Sequence, residues 1–234
     1  EFWKTVPEIA QTKRYQGFGF EIGVADDDLR REYMQAYHAC ISFIDAQIGV
    51  VLAALKQTGQ WDNTIVVLTS DHGYLLGEKF MWGKVMLFET CGRVPLVIRV
   101  PESIESAATT PGSSSEGLVE LVDLFPTLTE LCDVTPPPEL QGQSMTMMLR
   151  DPASSGKDTA YTVVTRGKVL GKAVRTQRHR YTRWPTGEEL YDLTTDPREQ
   201  TNLAHAPEHA KTLASMQTKL KNAEAKAVVK RRAF

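Results

Sequence analysis

The sequence predicts an α/β layer structure followed by a small antiparallel sheet with a terminal helix, and three patterns lead to that reading. A stripe of apolar residues at helical spacing runs through residues 29–55, an unbroken β-branched run follows at 64–69, and beyond Pro152 the chain turns into short strand-like pieces. Apolar recurrence every three or four residues lines one face of a helix, whereas a continuous β-branched run suits a strand covered on both faces of a parallel sheet. A helix leading into such a strand is the unit from which layered α/β folds are built.

Taken in order, residues 1–25 contain Gly17, Gly19 and Gly23 with few periodic apolar positions, so an irregular entry segment is expected. Asp26, Asp27 and Asp28 then offer an N-cap. Leu29, Tyr33, Tyr37, Cys40, Ile44, Ile48, Val51 and Leu55 keep one stripe on a helix of about eight turns, and Gly59 beyond it suits a left-handed stop. After the strand at 64–69, the run at 94–100 predicts another strand ending before Pro101, followed by a Ser/Thr/Gly surface loop near 103–115. Asp123 is placed to cap a helix reaching Leu131, with Pro126 near the first turn, where a missing N–H costs nothing. Four pieces at 161–166, 172–176, 180–184 and 189–193 predict an antiparallel meander. Leu213, Met216, Leu220 and Ala223 predict a basic terminal helix packed on that sheet, with a domain boundary near residue 155.

Composition removes several classes of function. With 27 basic and 29 acidic residues the formal charge is −2, which supplies no field for gripping nucleic acid or anionic lipid. The apolar runs are interrupted well short of the ~18 residues a bilayer span requires, so no membrane span is expected. The start, Glu1-Phe2-Trp3-Lys4, has neither an initiator Met nor a secretion signal, and the beginning of a natural gene product is expected to be missing. Cys40, Cys91 and Cys132 are odd in number and form no CxxC pair, so they are read as small apolar filler rather than a disulfide framework or zinc site.

Ligands in open α/β sheets bind beyond the carboxyl ends of the strands, and the residues just past the 64–69 run are Ser70, Asp71, His72 and Gly73. Asp71 offers a hard oxygen and a neutral His72 a nitrogen, two donors for one cation; equally, Asp71 can cap the next turn with His72 a satisfied polar residue. Two donors alone do not hold a metal. His38, His179, His205 and His209 read as packed or half-exposed histidines. Arg175, Arg180 and Arg183, interleaved with Tyr181 and Trp184, can border a pocket for an acidic sugar or lie as exposed charges on a meander.

The strand-end tetrad continues as Tyr74-Leu75-Leu76-Gly77-Glu78-Lys79, then Trp82-Gly83-Lys84, Leu87-Phe88-Glu89 and Arg93-Val94-Pro95-Leu96. With Ile41 through Gly49 in the long helix, Val122-Asp123-Leu124-Phe125-Pro126-Thr127-Leu128, and Glu189-Leu190-Tyr191-Asp192-Leu193 leading to Asn202-Leu203, this combination resembles the sulfatase family of the alkaline phosphatase superfamily, in its iduronate-2-sulfatase-like branch. The resemblance implies the later part of a mostly parallel alkaline-phosphatase-like sheet with flanking helices in residues 1–155, and a small antiparallel subdomain with terminal helix in 156–234. It implies further that Asp71 and His72 are ligands of a divalent cation, most often calcium, and that Lys84 binds the sulfate group, where the lysine alone would be read as solvent-exposed. A sulfate ester gains negative charge on its oxygens in the transition state, which a cation and an ammonium stabilise. Lys79 departs from the His that related sequences often carry after Gly-Glu, which weakens any proton-transfer role at that position.

Sulfatases attack sulfur with a formylglycine made in a Cys/Ser-x-Pro-x-Arg motif, and no such pentapeptide occurs in the sequence. The nucleophile and the first metal ligands are therefore expected upstream, and this chain alone is expected to be inactive. Its unpaired sheet edge predicts association with the amino-terminal half or with a second copy. The partner otherwise implied is a sulfated sugar, in a periplasmic, secreted or lysosome-like setting. Two alternatives stand beside a sulfatase: a metal-dependent phosphodiester or phosphonate monoester hydrolase, and a non-catalytic glycan-binding or assembly module.

Overall fold

A computed structural model describes residues 2–11, 27–104 and 109–227 of the 234-residue chain. The expected irregular entry at 1–25, the Asp26 cap position and part of the 103–115 loop lie largely outside the described residues.

A short helix, α1 (Phe2–Thr5), precedes the long helix α2 (Asp27–Gln57), with Asp27 and Asp28 in its first turn where carboxylates favour the exposed amides. Gly59 takes φ of 69° just past its end, the left-handed stop its position predicted. Strands β1 (Val66–Thr69), β2 (Leu75–Leu76) and β3 (Trp82–Gly83) follow, then α3 (Glu89–Gly92) and β4 (Leu96–Arg99). Helix α4 (Leu124–Leu131) carries Pro126 in its first turn, and α5 (Thr146–Arg150) leads to the carboxyl-terminal part. There β5 (Ala160–Arg166), β6 (Val169–Arg175), β7 (His179–Trp184) and β8 (Gly187–Asp192) form a meander in sequential order, and α6 (Ala210–Lys226) packs on it.

One pairing departs from the parallel arrangement expected for the 64–69 run. β1 pairs with β4 antiparallel, Val66 opposite Arg99 and Thr69 opposite Leu96, and this two-stranded sheet has no third strand among the described residues. A parallel pair needs a covering crossover, whereas here the chain returns through the β2–β3 hairpin and α3, and mixed α/β sheets commonly carry such an antiparallel strand. Nor is the strand covered on both sides: Leu68 is 44% exposed and Val97 58%. Along α2 the predicted apolar stripe is equally uncovered, with no buried residue, Ile44 54% exposed and Val51 66%. Its contacts include the ring pairs Tyr33 against Trp82 and Tyr37 against Tyr74, each at 5.7 Å between centroids, and Lys56 over the Trp61 ring at 4.7 Å. By length and composition alone α2 also meets the requirement for a bilayer span, with a mean hydropathy of 1.7 over its most apolar stretch, although Asp45 and Gln47 fall inside the helix. Of the cysteines read as filler, Cys91 is buried and its thiol pushed up to about 11 by burial, whereas Cys40 and Cys132 are exposed.

The buried core lies around the meander. On one face Leu75, Met81, Met86, Leu87, Phe88 and Cys91 pack against Ala173, Trp184 and Tyr191; on the other, Val174, Tyr181 and Leu190 meet Met216 and Leu220 of α6. The first cluster anchors the segment after β1 to the carboxyl-terminal sheet. Asn202 closes the edge: its Oδ1 accepts from the Leu190 and Ala204 amides while its Nδ2 donates to the carbonyls of Thr5 and Glu188.

Inside this core Glu189 accepts from Trp184 Nε1 at 2.9 Å and from the Tyr191 hydroxyl at 2.8 Å, and its burial pushes its carboxyl up to about 7. A carboxyl raised in the folded state keeps its proton where the unfolded chain has lost it, so this group costs stability as pH climbs from about 4.5 to about 7. Glu189→Gln keeps the Trp184 bond at its amide oxygen and reverses the other, its NH2 donating to the Tyr191 hydroxyl, without the charge. The stability difference between wild type and the variant is expected to move by on the order of 3 kcal/mol in favour of the variant across that range, read by urea unfolding at pH 4.5 and 7.5. A pH-independent difference counts against an ionising Glu189.

Candidate functional site

β1 ends at Thr69 and the chain turns through Ser70–Gly73 under three local constraints. Ser70 Oγ donates to the His72 carbonyl at 2.7 Å, the Gly73 amide donates to the Cys91 carbonyl at 2.9 Å, and His72 Nδ1 lies 2.9 Å from the Gly73 carbonyl. A carbonyl only accepts, so Nδ1 carries the proton and, in the neutral ring, Nε2 presents its lone pair. That Nε2 lies 3.5 Å from Asp71 Oδ2, with the Asp71 side chain 85% exposed and that of His72 35%. Gly73 is required by space: a Cβ there would sit 1.9 Å from the Thr90 carbonyl oxygen. Gly73→Ala is expected to displace the turn at a cost of about 1–3 kcal/mol, checked by urea unfolding; wild-type stability would show that the loop and α3 are not docked as described.

Hairpin register brings the lysine back to the same place. Leu75 pairs with Gly83, so Lys84, one step further, comes alongside the residues that follow His72. Gly83 at φ of 103° and Val85 at 70° turn the backbone on either side of the exposed Lys84. Asp71, His72 and Lys84 all line one cleft of about 1580 Å³, bordered also by Glu89, Arg175 and Arg180.

A chain of charges behind the cleft had no counterpart in the sequence reading. Buried Arg180 donates to the Leu87 carbonyl at 2.6 Å and pairs with Glu89 and, at 2.7 Å through Nε, with Glu199. Arg175 also reaches Glu89, at 3.3 Å, and the Glu199 carboxylate accepts from the Glu89 amide at 2.8 Å. Burial pushes the Glu199 carboxyl above its ordinary range. Through α3, whose Cys91 carbonyl holds Gly73, this network ties the Asp71–His72 turn to the meander. Glu199 has φ of 53° in the loop after β8 and belongs to no periodic pattern; it lies within the stretch leading to Asn202-Leu203 that carries part of the resemblance.

Other sequence-flagged residues separate. Lys79 faces the carboxyl-terminal loop, donating to the carbonyls of Arg198 and Glu199 at 2.6 Å each, and burial lowers the pKa of its ammonium. Arg183 does not border the cleft: it pairs with Glu224 of α6. Tyr181 and Trp184 are core residues whose polar atoms meet Glu188 and Glu189. His38 is exposed on α2, and half-buried His179 lies 4.0 Å from Asp192.

Among the described residues no cluster of three or more His, Cys, Asp and Glu side chains is present, so Asp71 and His72 form a pair only. The pair does fit a cation. Two donors on adjacent coordination positions of an ion about 2.3 Å away stand roughly 3.3 Å apart, close to the 3.5 Å between these atoms.

The chain thus carries a carboxylate and an imidazole just past the end of β1 and a lysine lining the same cleft. The sequence model of the sulfatase family matches residues 5–134, and that described as N-sulphoglucosamine sulphohydrolase, C-terminal, matches residues 77–226. The chain belongs to the sulfatase family. It is 36% identical to a sulfatase of Formosa agariphila over 75% of this chain and 33% of that protein, and 29% identical to the iduronate 2-sulfatase of Mus musculus over 83% of this chain and 48% of that protein. Among solved structures, BT4656 in complex with its substrate D-glucosamine-2-N,6-O-disulfate superposes with a TM-score of 0.80 at 28% identity, over 91% of this chain and 44% of that one. The chain thus spans about a third to a half of the relatives it matches.

Proposed function

We propose that this chain is the carboxyl-terminal part of a sulfuric ester hydrolase, iduronate-2-sulfatase-like, acting on a sulfated glycan or uronic acid. The observation that supports it most is that Asp71, His72 and Lys84 all line one cleft. Asp71 and His72 would hold a divalent cation, calcium by resemblance, whose charge supplies electrophilic stabilisation of a sulfate oxygen. Lys84 donates to a second sulfate oxygen, and Nδ1 of His72, occupied by the Gly73 carbonyl, keeps the ring oriented. Arg175, held by Glu89 at the cleft wall, is available for a sugar carboxylate or sulfate. The formylglycine nucleophile lies outside this sequence, and the chain alone should not turn over.

α2 falls inside the matched family region, and we read its uncovered face and the β1–β4 sheet as surfaces that the remainder of the domain, or a second copy, covers. The division near residue 155 is part of the same proposal, the antiparallel meander and α6 forming the smaller unit.

One observation favours a second reading, a metal-dependent phosphodiester or phosphonate monoester hydrolase: an imidazole nitrogen is a donor that zinc and manganese take more readily than calcium. Assay of the full-length protein decides. Sulfate release from a sulfated uronic-acid disaccharide, with metal analysis returning calcium, supports the first reading; hydrolysis of phosphodiesters alone, with bound zinc or manganese, replaces it by the second; binding without turnover of either leaves a non-catalytic module.

A further inference from the structure

Beside the cleft runs a second groove of about 600 Å³, between the first turns of α6 and two loops, 155–158 and 176–179. Its α6 wall presents Lys211, Thr212, Ser215 and Lys219, so that ammonium groups at positions eight residues apart, about 12 Å along the axis, flank two hydroxyls on one face. Neither Lys211 nor Lys219 forms an ion pair with a carboxylate among the described residues, in contrast to Lys157, which is held between Glu120 and Asp123 at 2.5 Å from each. The opposite wall is built rather than loose: Thr176 Oγ1 accepts from the His179 amide at 2.9 Å, and Gln177 Nε2 donates to the Glu116 carbonyl at 2.7 Å. Gln177 lines both this groove and the cleft that holds Asp71, His72 and Lys84. The two concavities therefore meet at a single anchored turn.

From this continuity we infer that the groove along Lys211 and Lys219 is an accessory site for the sulfated glycan chain, gripping sugar units that extend out of the cleft across the Gln177 turn. The inference rests on the reading of the cleft as a site for a sulfated sugar. Two ammonium groups with hydroxyls between them, facing a wall that also carries the exposed carboxylate of Asp158, match a polymer that repeats sulfates and hydroxyls, whereas a monosaccharide held in the cleft does not reach them. The site adds affinity for long substrates without touching the reacting centre, a binding term that lowers KM and leaves kcat unchanged.

The test uses the full-length protein carrying Lys211→Ala and Lys219→Ala together, the first exposed and the second half-buried on the groove wall. A heparin-derived sulfated octasaccharide and a monosulfated monosaccharide are compared as substrates. KM for the octasaccharide is expected to rise about tenfold, the scale of two lost partly exposed charge contacts, with kcat and the monosaccharide kinetics unchanged. Unchanged octasaccharide kinetics, or equal losses on both substrates, would overturn the accessory site. Direct titration with the octasaccharide separates this from the catalytic reading: lysine-dependent binding by a protein that hydrolyses no sulfate ester keeps the groove and discards the sulfatase assignment, and equal binding of the desulfated octasaccharide discards the groove.

Discussion

Asp71→Ala in the full-length protein is expected to lower sulfate-ester turnover by about three orders of magnitude while leaving thermal stability within about 0.5 kcal/mol of wild type. The contrast follows from where the side chain sits. Its side chain is 85% exposed, so its removal opens no cavity. The imidazole of the next residue stands 3.5 Å away, a separation suited to two donors on a single ion. An exposed side chain that shares a proposed cation site with His72 should show this split between activity and stability. Full turnover together with wild-type metal content in the variant would remove Asp71 from the site, and an equal loss of stability and activity would make it structural.

Lys84→Ala is the second large effect, a loss of about 2–4 kcal/mol in transition-state stabilisation, read as a 30- to 1000-fold fall in kcat/KM. The lysine follows a hairpin strand whose register brings it back alongside the residues after His72, and in the proposed site its ammonium would meet charge that develops only as the ester bond breaks. Lys84→Arg should recover only part of the loss, because a planar fork presents its charge and donors in a different geometry from a compact ammonium. A kcat/KM ratio near one for the alanine variant would assign Lys84 to the surface.

How much of this was readable beforehand differs by element, for identifiable reasons. The long helix, its glycine stop, the four-stranded meander and the terminal helix were legible because each is written in a local period of 3.6 or 2 residues. The antiparallel pairing of β1 with β4 was not, because a buried-looking run fixes neither the direction nor the presence of neighbours, and the covering partners of Leu68 and Val97 are not among the described residues. The candidate site was legible as a position, the end of a β-branched strand, and Lys84 joined it through resemblance. The arginines show a signal that was present and unused. On β7, Arg180 and Arg183 are an odd number of residues apart, so strand alternation sends them to opposite faces, one to the cleft and one to α6. Glu199 lay beyond any periodic argument, since a single buried carboxylate in a loop is placed by partners from Glu89 and Arg180 far away in the chain.

The sharpest test is a crystal structure of the full-length protein grown with its cation. An ion bound within about 2.6 Å of both Asp71 and His72 Nε2, with Lys84 facing the same space, is the predicted result. An ion held elsewhere, with those two side chains free of it, would contradict the assignment.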